Sequence, residues 1–207
     1  MYEAGAAVRE AFAGSVSEAR LGAARALALS NSRDVNYGAA VALALAGDWA
    51  GSQVLKKHLQ ERFPEDTFVQ FSCLPVLQSL TALHAGNPAG AIELLEAAKP
   101  YGVAVPGSFF GWFGNLYPSF VRGKALMAER RFDEAVGEFR AVLEHTGIVL
   151  VDPVAYAARL ELARTLASAG DIAKAKPAYQ EFLGHWSGGD ADIPILKEAQ
   201  RELAGLK

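Results

Sequence analysis

Ala, Leu and other apolar residues recur at intervals of three and four along most of the chain, interrupted by short turns that usually carry Gly. That spacing puts the apolar positions on one face of a helix. The interruptions divide the chain into helical hairpins. The pattern predicts helices over about 2–12 and 15–30, 33–46 and 48–62, 66–85 and 88–99, 115–130 and 133–145, and 153–169 and 171–186. A last helix is predicted over 193–206, with Ile195, Leu196, Ala199, Leu203 and Leu206 on one stripe. Such a stripe suits a capping helix that covers the last hairpin's apolar face.

The hairpins share a register, the mark of an internal repeat. Aligned on the turn, the first column reads Gly14, Gly47, Gly86, Arg130 and Gly170, at intervals of 33, 39, 44 and 40 residues. Two residues on stand Val16, Trp49, Pro88, Phe132 and Ile172. Five on stand Ala19, Ser52, Ala91, Ala135 and Ala175; nine on stand Ala23, Lys56, Leu95, Phe139 and Tyr179. The first helices place Ala7, Ala40, Ser79, Gly123 and Ala163 where each pair must touch. A turn Gly accepts positive φ and ends the first helix. Asp48, Asn87 and Asp171 follow it and can cap the second helix. The small residue lets two helices approach, and the larger one, a turn later on the same face, fills the space between them. Arg130, Lys56 and Ala23 depart from their columns.

The longer intervals have local causes. Residues 99–115 form a Gly/Pro-punctuated insertion, and 145–153 a shorter one whose Ile148, Val149, Leu150 and Val151 read as extended and half buried. Pro75 should kink its helix or start it anew, and Pro177 falls several residues inside another.

Composition narrows the function classes. Apolar residues are 51% of the 207, enough for a buried core. Lys plus Arg is 20 against 23 for Asp plus Glu, which argues against a nucleic-acid footprint. The uncharged stretch Thr67–Ile92 is broken by Gln70, Pro75, Gln78, His84, Gly86, Asn87 and Pro88, so it falls short of a membrane span. The first residues, MYEAGAAVREAF, read as a helix already under way, as in a piece of a longer protein, with no secretory leader.

The search for chemistry returns little. Cys73 is the one cysteine, which excludes an internal disulfide and a Cys-cluster metal site; it reads as a buried, inert thiol. His58, His84, His145 and His185 are isolated and read as surface or cap residues. Phosphate-loop, nucleophile-elbow and dinucleotide fingerprints are lacking. Asp190 and Asp192, in GGDAD, lack the further oxygens of a calcium loop and read as a loop capping the last helix. Catalytic residues, metal ligands and cofactor are each expected to be none. One feature stands apart: Phe109, Phe110, Trp112, Phe113, Tyr117 and Phe120 fall within twelve residues. They read either as a plug sealing the gap between the third and fourth hairpins or as an exposed anchor for a partner.

The turns and their flanking columns resemble the tetratricopeptide repeat family, above all GKALMAERRFDEAVGEFRAVL (123–143) and LELARTLASAGDIAKAKPAYQEFL (160–183). Pro64 matches the Pro that closes the family's unit; Asn31 and Ser187 do not. A narrower resemblance covers roughly 64–207. FPEDTF, CLPVLQSL, IELLEAAKPY, NLYPSFVRGKA, GIVLVDP and DADIPILKEAQREL are similar to the C-terminal repeat region of bacterial receptor-type Ser/Thr protein kinases. No Gly-rich loop, HRD or DFG is present, so the resemblance implies a sensor or docking appendage rather than a kinase domain. The compartment it implies is the bacterial cytoplasm or, after a membrane span in the parent chain, the outside.

The family resemblance also implies the architecture: an all-α, right-handed superhelix of about five antiparallel hairpins plus a cap. Its units would lie near 1–32, 33–65, 66–107, 115–152 and 153–190, with the cap at 193–206. First helices would line the inner wall. The family's inward places map to Asp34, Tyr37, Val41 and Ala44; to Cys73, Val76, Leu80 and Leu83; to Tyr117, Phe120, Lys124 and Met127; and to Ala157, Leu160, Arg164 and Ala167. The candidate partner-binding groove is therefore Tyr37, Val41, Val76, Leu80, Phe113, Tyr117, Phe120, Lys124 and Arg164. The Lys, Asn and Arg clamp by which chaperone-binding members grip a carboxylate is mostly missing.

These observations favour a protein- or peptide-binding module without cofactor, nucleic acid or membrane insertion. The alternative is a structural module whose apolar wall is filled by its own insertion or by a second copy in a homodimer. A helical enzyme ranks last. Open aromatics beside Lys124 and Arg164 would mark the first; buried ones would mark the second.

Overall fold

Each hairpin turn forces its corner residue into the left-handed region. In the computed structural model, which describes residues 1–104, 116–186 and 192–207, φ is 83° at Gly14, 74° at Gly47, 72° at Gly86, 60° at Arg130 and 83° at Gly170. These are the five residues of the turn column. Four are Gly, for which the conformation costs no clash with Cβ; Arg130 adopts it at a cost of about 1–2 kcal/mol.

From those corners run the helices α1 (Tyr2–Ala13), α2 (Val16–Leu29), α3 (Arg33–Leu45), α4 (Trp49–Arg62), α5 (Leu74–His84), α6 (Pro88–Leu94), α7 (Tyr117–Ala128), α8 (Phe132–Glu144), α9 (Thr146–Val149), α10 (Val154–Ser168), α11 (Ile172–Gly184) and α12 (Pro194–Gly205). No strand occurs among the described residues. The caps form where the sequence offers them. Asp48 accepts from Gly51 N at 3.0 Å, Asn87 from Gly90 N at 2.9 Å and Asp171 from Lys174 N at 3.1 Å. The fold is a tetratricopeptide-like, all-α array of packed hairpins.

The inter-helix columns are buried. Ala19, Ser52, Ala91, Ala135 and Ala175 have lost nearly all exposure, and so have Ala7, Ala40, Ser79 and Ala163 opposite them. In the third pair Ser79 Oγ donates to the Ala91 carbonyl at 2.9 Å, so even this buried hydroxyl is partnered. Where Lys56 breaks its column, Leu55 and Leu59 beside it fill the space.

Three stretches differ from the periodicity. The segment expected to be one helix over 66–85 is split: a π-turn at Val69–Cys73 leads into α5, whose first turn holds Pro75. Pro has no N–H to donate and fits a first turn, so the helix restarts there. The partner expected over 88–99 ends at Leu94 and continues as a 3₁₀ turn, Glu96–Tyr101, that contains Pro100. Of the residues read as extended, 148–151, Ile148 and Val149 instead end the short helix α9; Val149 is buried, and Leu150 and Val151 just beyond it are exposed. One buried side chain in four suits a single helical turn better than a half-buried strand. Of the aromatic run, Phe109, Phe110, Trp112 and Phe113 lie outside the described residues, as does Asp190.

The two ends of the array meet. Phe12 of α1 meets Phe120 and Tyr117 of α7 at ring-centroid distances of 5.4 Å and 6.0 Å, and Tyr156 of α10 at 6.4 Å. Tyr156 Oη donates to the Arg9 carbonyl at 3.1 Å, joining residues 147 apart in sequence. A Cβ placed on Gly14 would stand 3.1 Å from Pro194 Cβ of α12. The array therefore closes on itself, and one core runs from α1 through α10.

Candidate functional site

Six of the nine candidate groove residues belong to that core. Tyr37, Val41, Val76, Leu80, Tyr117 and Phe120 are between 0% and 6% exposed. Against the expected open groove, these six side chains are buried, with Tyr117 and Phe120 lying behind Phe12 of α1. Tyr37 packs edge-on against Phe68 and Tyr117 at 6.0 Å and 6.4 Å. Tyr117 Oη donates to Asp152 Oδ1 at 3.0 Å, and the same oxygen accepts from Val154 N. Burial pushes the Tyr117 hydroxyl well above its ordinary pKa, and the Asp152 charge adds to this. Burial likewise raises the Cys73 thiol, which keeps it protonated and inert. Phe113 lies outside the described residues.

Lys124 and Arg164 remain accessible. They border a cleft of about 330 Å³ between α1, α7, α10 and α12, walled by Phe12, Phe120 and Leu160 and by Ile195 and Glu198 of α12. Neither cation is free. Lys124 Nζ lies 3.8 Å from Glu161 Oε1 and 5.9 Å from the centre of the Phe120 ring. Arg164 forks onto Glu202, with contacts of 2.8–3.1 Å, and also reaches Glu161 at 3.0 Å and Glu198 at 3.1 Å. Tyr179 Oη of α11 donates to Glu202 Oε2 at 2.9 Å. Burial pulls the Arg164 guanidinium down, but the Glu202 bonds and the charges of Glu161, Glu202 and Glu198 outweigh it and hold it above its ordinary value.

The cleft thus presents two cations against three carboxylates, two of them contributed by α12. Sequence reasoning missed Phe12, Tyr156, Glu198 and Glu202. The last two carried a signal: they stand four apart, flanking the apolar stripe of the last helix. Like charges at that spacing repel in an isolated helix, so a neighbouring cation steadies them.

No three His, Cys, Asp or Glu side chains among the described residues are grouped to hold a metal, and no described helix is long and apolar enough to cross a membrane. The histidines sit at helix ends or crossings. His84 stacks on Trp49 at 4.2 Å, His58 Nδ1 is 2.9 Å from Asn36 Oδ1, and His145 and His185 lie near helix carbonyls.

A family profile described as tetratricopeptide repeat matches residues 120–190. That stretch holds most of α7, then α8 to α11, and both cations of the cleft. Tetratricopeptide repeats generally mediate contacts between proteins and are typically non-catalytic. Comparison with curated proteins and with solved structures gives no significant match.

Proposed function

We propose that the chain is a non-catalytic protein-recognition module, the sensor or docking region of a bacterial signalling protein such as a Ser/Thr kinase. Its repeat units lie near 1–32, 33–65, 66–107, 115–152 and 153–190, with a cap at 193–206. The observation that carries the reading is the coincidence of the tetratricopeptide match at 120–190 with the one pair of groove cations, Lys124 and Arg164, that stays at the surface. The kinase context rests on the sequence resemblance over 64–207.

A second reading has its own support. The burial of Tyr37, Val41, Val76, Leu80, Tyr117 and Phe120 favours a structural module whose inner wall is self-filled. Sizing chromatography with light scattering, followed by affinity capture on the intact chain and rebinding of the purified prey, separates the two. A stoichiometric complex weakened by Lys124→Glu supports recognition. Self-association without any stoichiometric partner overturns it in favour of the structural reading.

A further inference from the structure

The core of this molecule is divided. Beside the main core lies a smaller cluster: Leu160 and Ala163 of α10, Tyr179 and Phe182 of α11, and Leu196 and Ala199 of α12. Two of the twelve residues of α12, Leu196 and Ala199, are buried. Its polar hold on the neighbouring helices centres on one donor, since Arg164 bonds both Glu198 and Glu202, and Tyr179 Oη donates to Glu202 as well. The helix behaves as a ligand that happens to be covalently attached. It offers an apolar stripe with two carboxylates one turn apart, and it seats on an apolar pair of helices with a guanidinium at the edge.

We propose that the α10–α11 surface beneath α12 is a helix-docking site, held in cis by α12, whose partner is an amphipathic helix of another protein carrying two carboxylates four residues apart. This rests on the recognition reading above and names the chemistry of the partner. Charge complementarity selects it. Without Glu198 and Glu202, Arg164 and Lys124 face the single carboxylate of Glu161, and Tyr179 Oη loses its acceptor. An incoming helix must restore both, and a neutral or basic helix cannot. Such a helix would enter by local opening of α12, which also has to leave its seat beside Gly14 at the end of α1.

The test uses the full chain and, as probe, a fluorescein-labelled peptide with the sequence of residues 192–207. In wild type the attached helix competes at high effective concentration. The double variant Glu198→Lys/Glu202→Lys, monomeric by sizing, is expected to bind the probe at least about tenfold tighter than wild type. Adding Arg164→Glu to it should abolish binding, as should reversing both carboxylates in the peptide. Equal or absent binding by a variant that retains the main melting transition overturns the proposal. So does a swapped dimer, which would make a second copy the occupant. If the variant does not fold, hydrogen exchange on wild type decides: α12 amides must exchange well ahead of those of α10 and α11, and equal protection sinks the idea. Should the peptide fail while a captured partner still binds with sensitivity to Lys124→Glu, the docking site falls and the recognition module stands.

Discussion

The first and fourth hairpins solve one packing problem in two ways. In the first, small residues meet small residues: a Cβ on Gly22 would stand 3.0 Å from Ala7 Cβ and 3.3 Å from Ala7 Cα. The helices touch almost at the backbone. In the fourth, Gly123 leaves a hole that Phe139 fills, and a Cβ on Gly123 would stand 2.7 Å from Phe139 Cε1. Each crossing is dense, but only the fourth depends on a single large side chain. The column rule is thus about summed volume across the contact, not about residue identity. Ala23, a departure in the alignment, belongs to a crossing that needs no large residue.

The comparison breaks first at Phe139, which is fully buried. Phe139→Ala should lower the unfolding free energy by about 3–5 kcal/mol, read from the denaturant midpoint, because the hole beside Gly123 is then empty. Gly123→Leu in that background should return part of the loss, although alone it destabilises by about 1–3 kcal/mol through overpacking. Independent, additive effects of the two changes would mean they do not share a contact. The next largest effect is expected where the column demands a small residue in both halves of the 120–190 match. Ala135→Trp or Ala175→Trp should cost about 3 kcal/mol or more. Wild-type melting of either would show that the repeat register is wrong.

How much of this was legible in the sequence follows from range. The turns, caps and small-residue columns are set by neighbours within one hairpin, and the spacing displayed them at Gly14, Asp48, Ala135 and Gly123. Closure of the array was not legible. It depends on Phe12 meeting Phe120 and on Tyr156 reaching the Arg9 carbonyl, contacts across more than a hundred residues that no local period encodes. An inward position read from an open superhelix becomes a core position once the ends meet, as Tyr117 and Phe120 do behind Phe12. The short helix at Thr146–Val149 was hidden by its β-branched composition, a weak guide that local context overrides.

A smaller effect distinguishes the turns. Four hairpins turn on Gly, while the fourth turns on Arg130 at φ 60°. Arg130→Gly removes the Cβ clash but adds freedom to the unfolded chain, so a net gain of about 0.5–1 kcal/mol is expected. The gain should show as a higher melting temperature with unchanged circular dichroism. The same change scored as a loss would mean that the stacking of Arg130 over Phe132, at 5.8 Å, outweighs the strain.

The smallest effect concerns the joint between the second and third hairpins. Arg33 Nη1 donates to Asp66 Oδ2 at 2.9 Å, while Asp66 Oδ1 accepts from Val69 N at 3.0 Å. Burial pushes the Asp66 carboxyl up, but the Arg33 guanidinium and the Val69 and Phe68 amides outweigh it and hold it below the usual carboxylate range. A carboxyl with a depressed folded value binds its proton less readily than the unfolded chain does. Its contribution is therefore complete above the unfolded pKa of about 3.9 and is lost as pH falls through the folded value. The pair is about a quarter exposed, at 24% and 26%, so screening keeps the effect modest. Between about pH 5 and about pH 2 the wild-type denaturant midpoint should fall further than that of Asp66→Asn, which has no proton to take up. Parallel falls would mean the joint is indifferent to this carboxylate. The π-turn at Val69–Cys73 would then rest on its packing and on bonds that Asp66→Asn keeps, such as Gln70 N donating to the backbone carbonyl of residue 66.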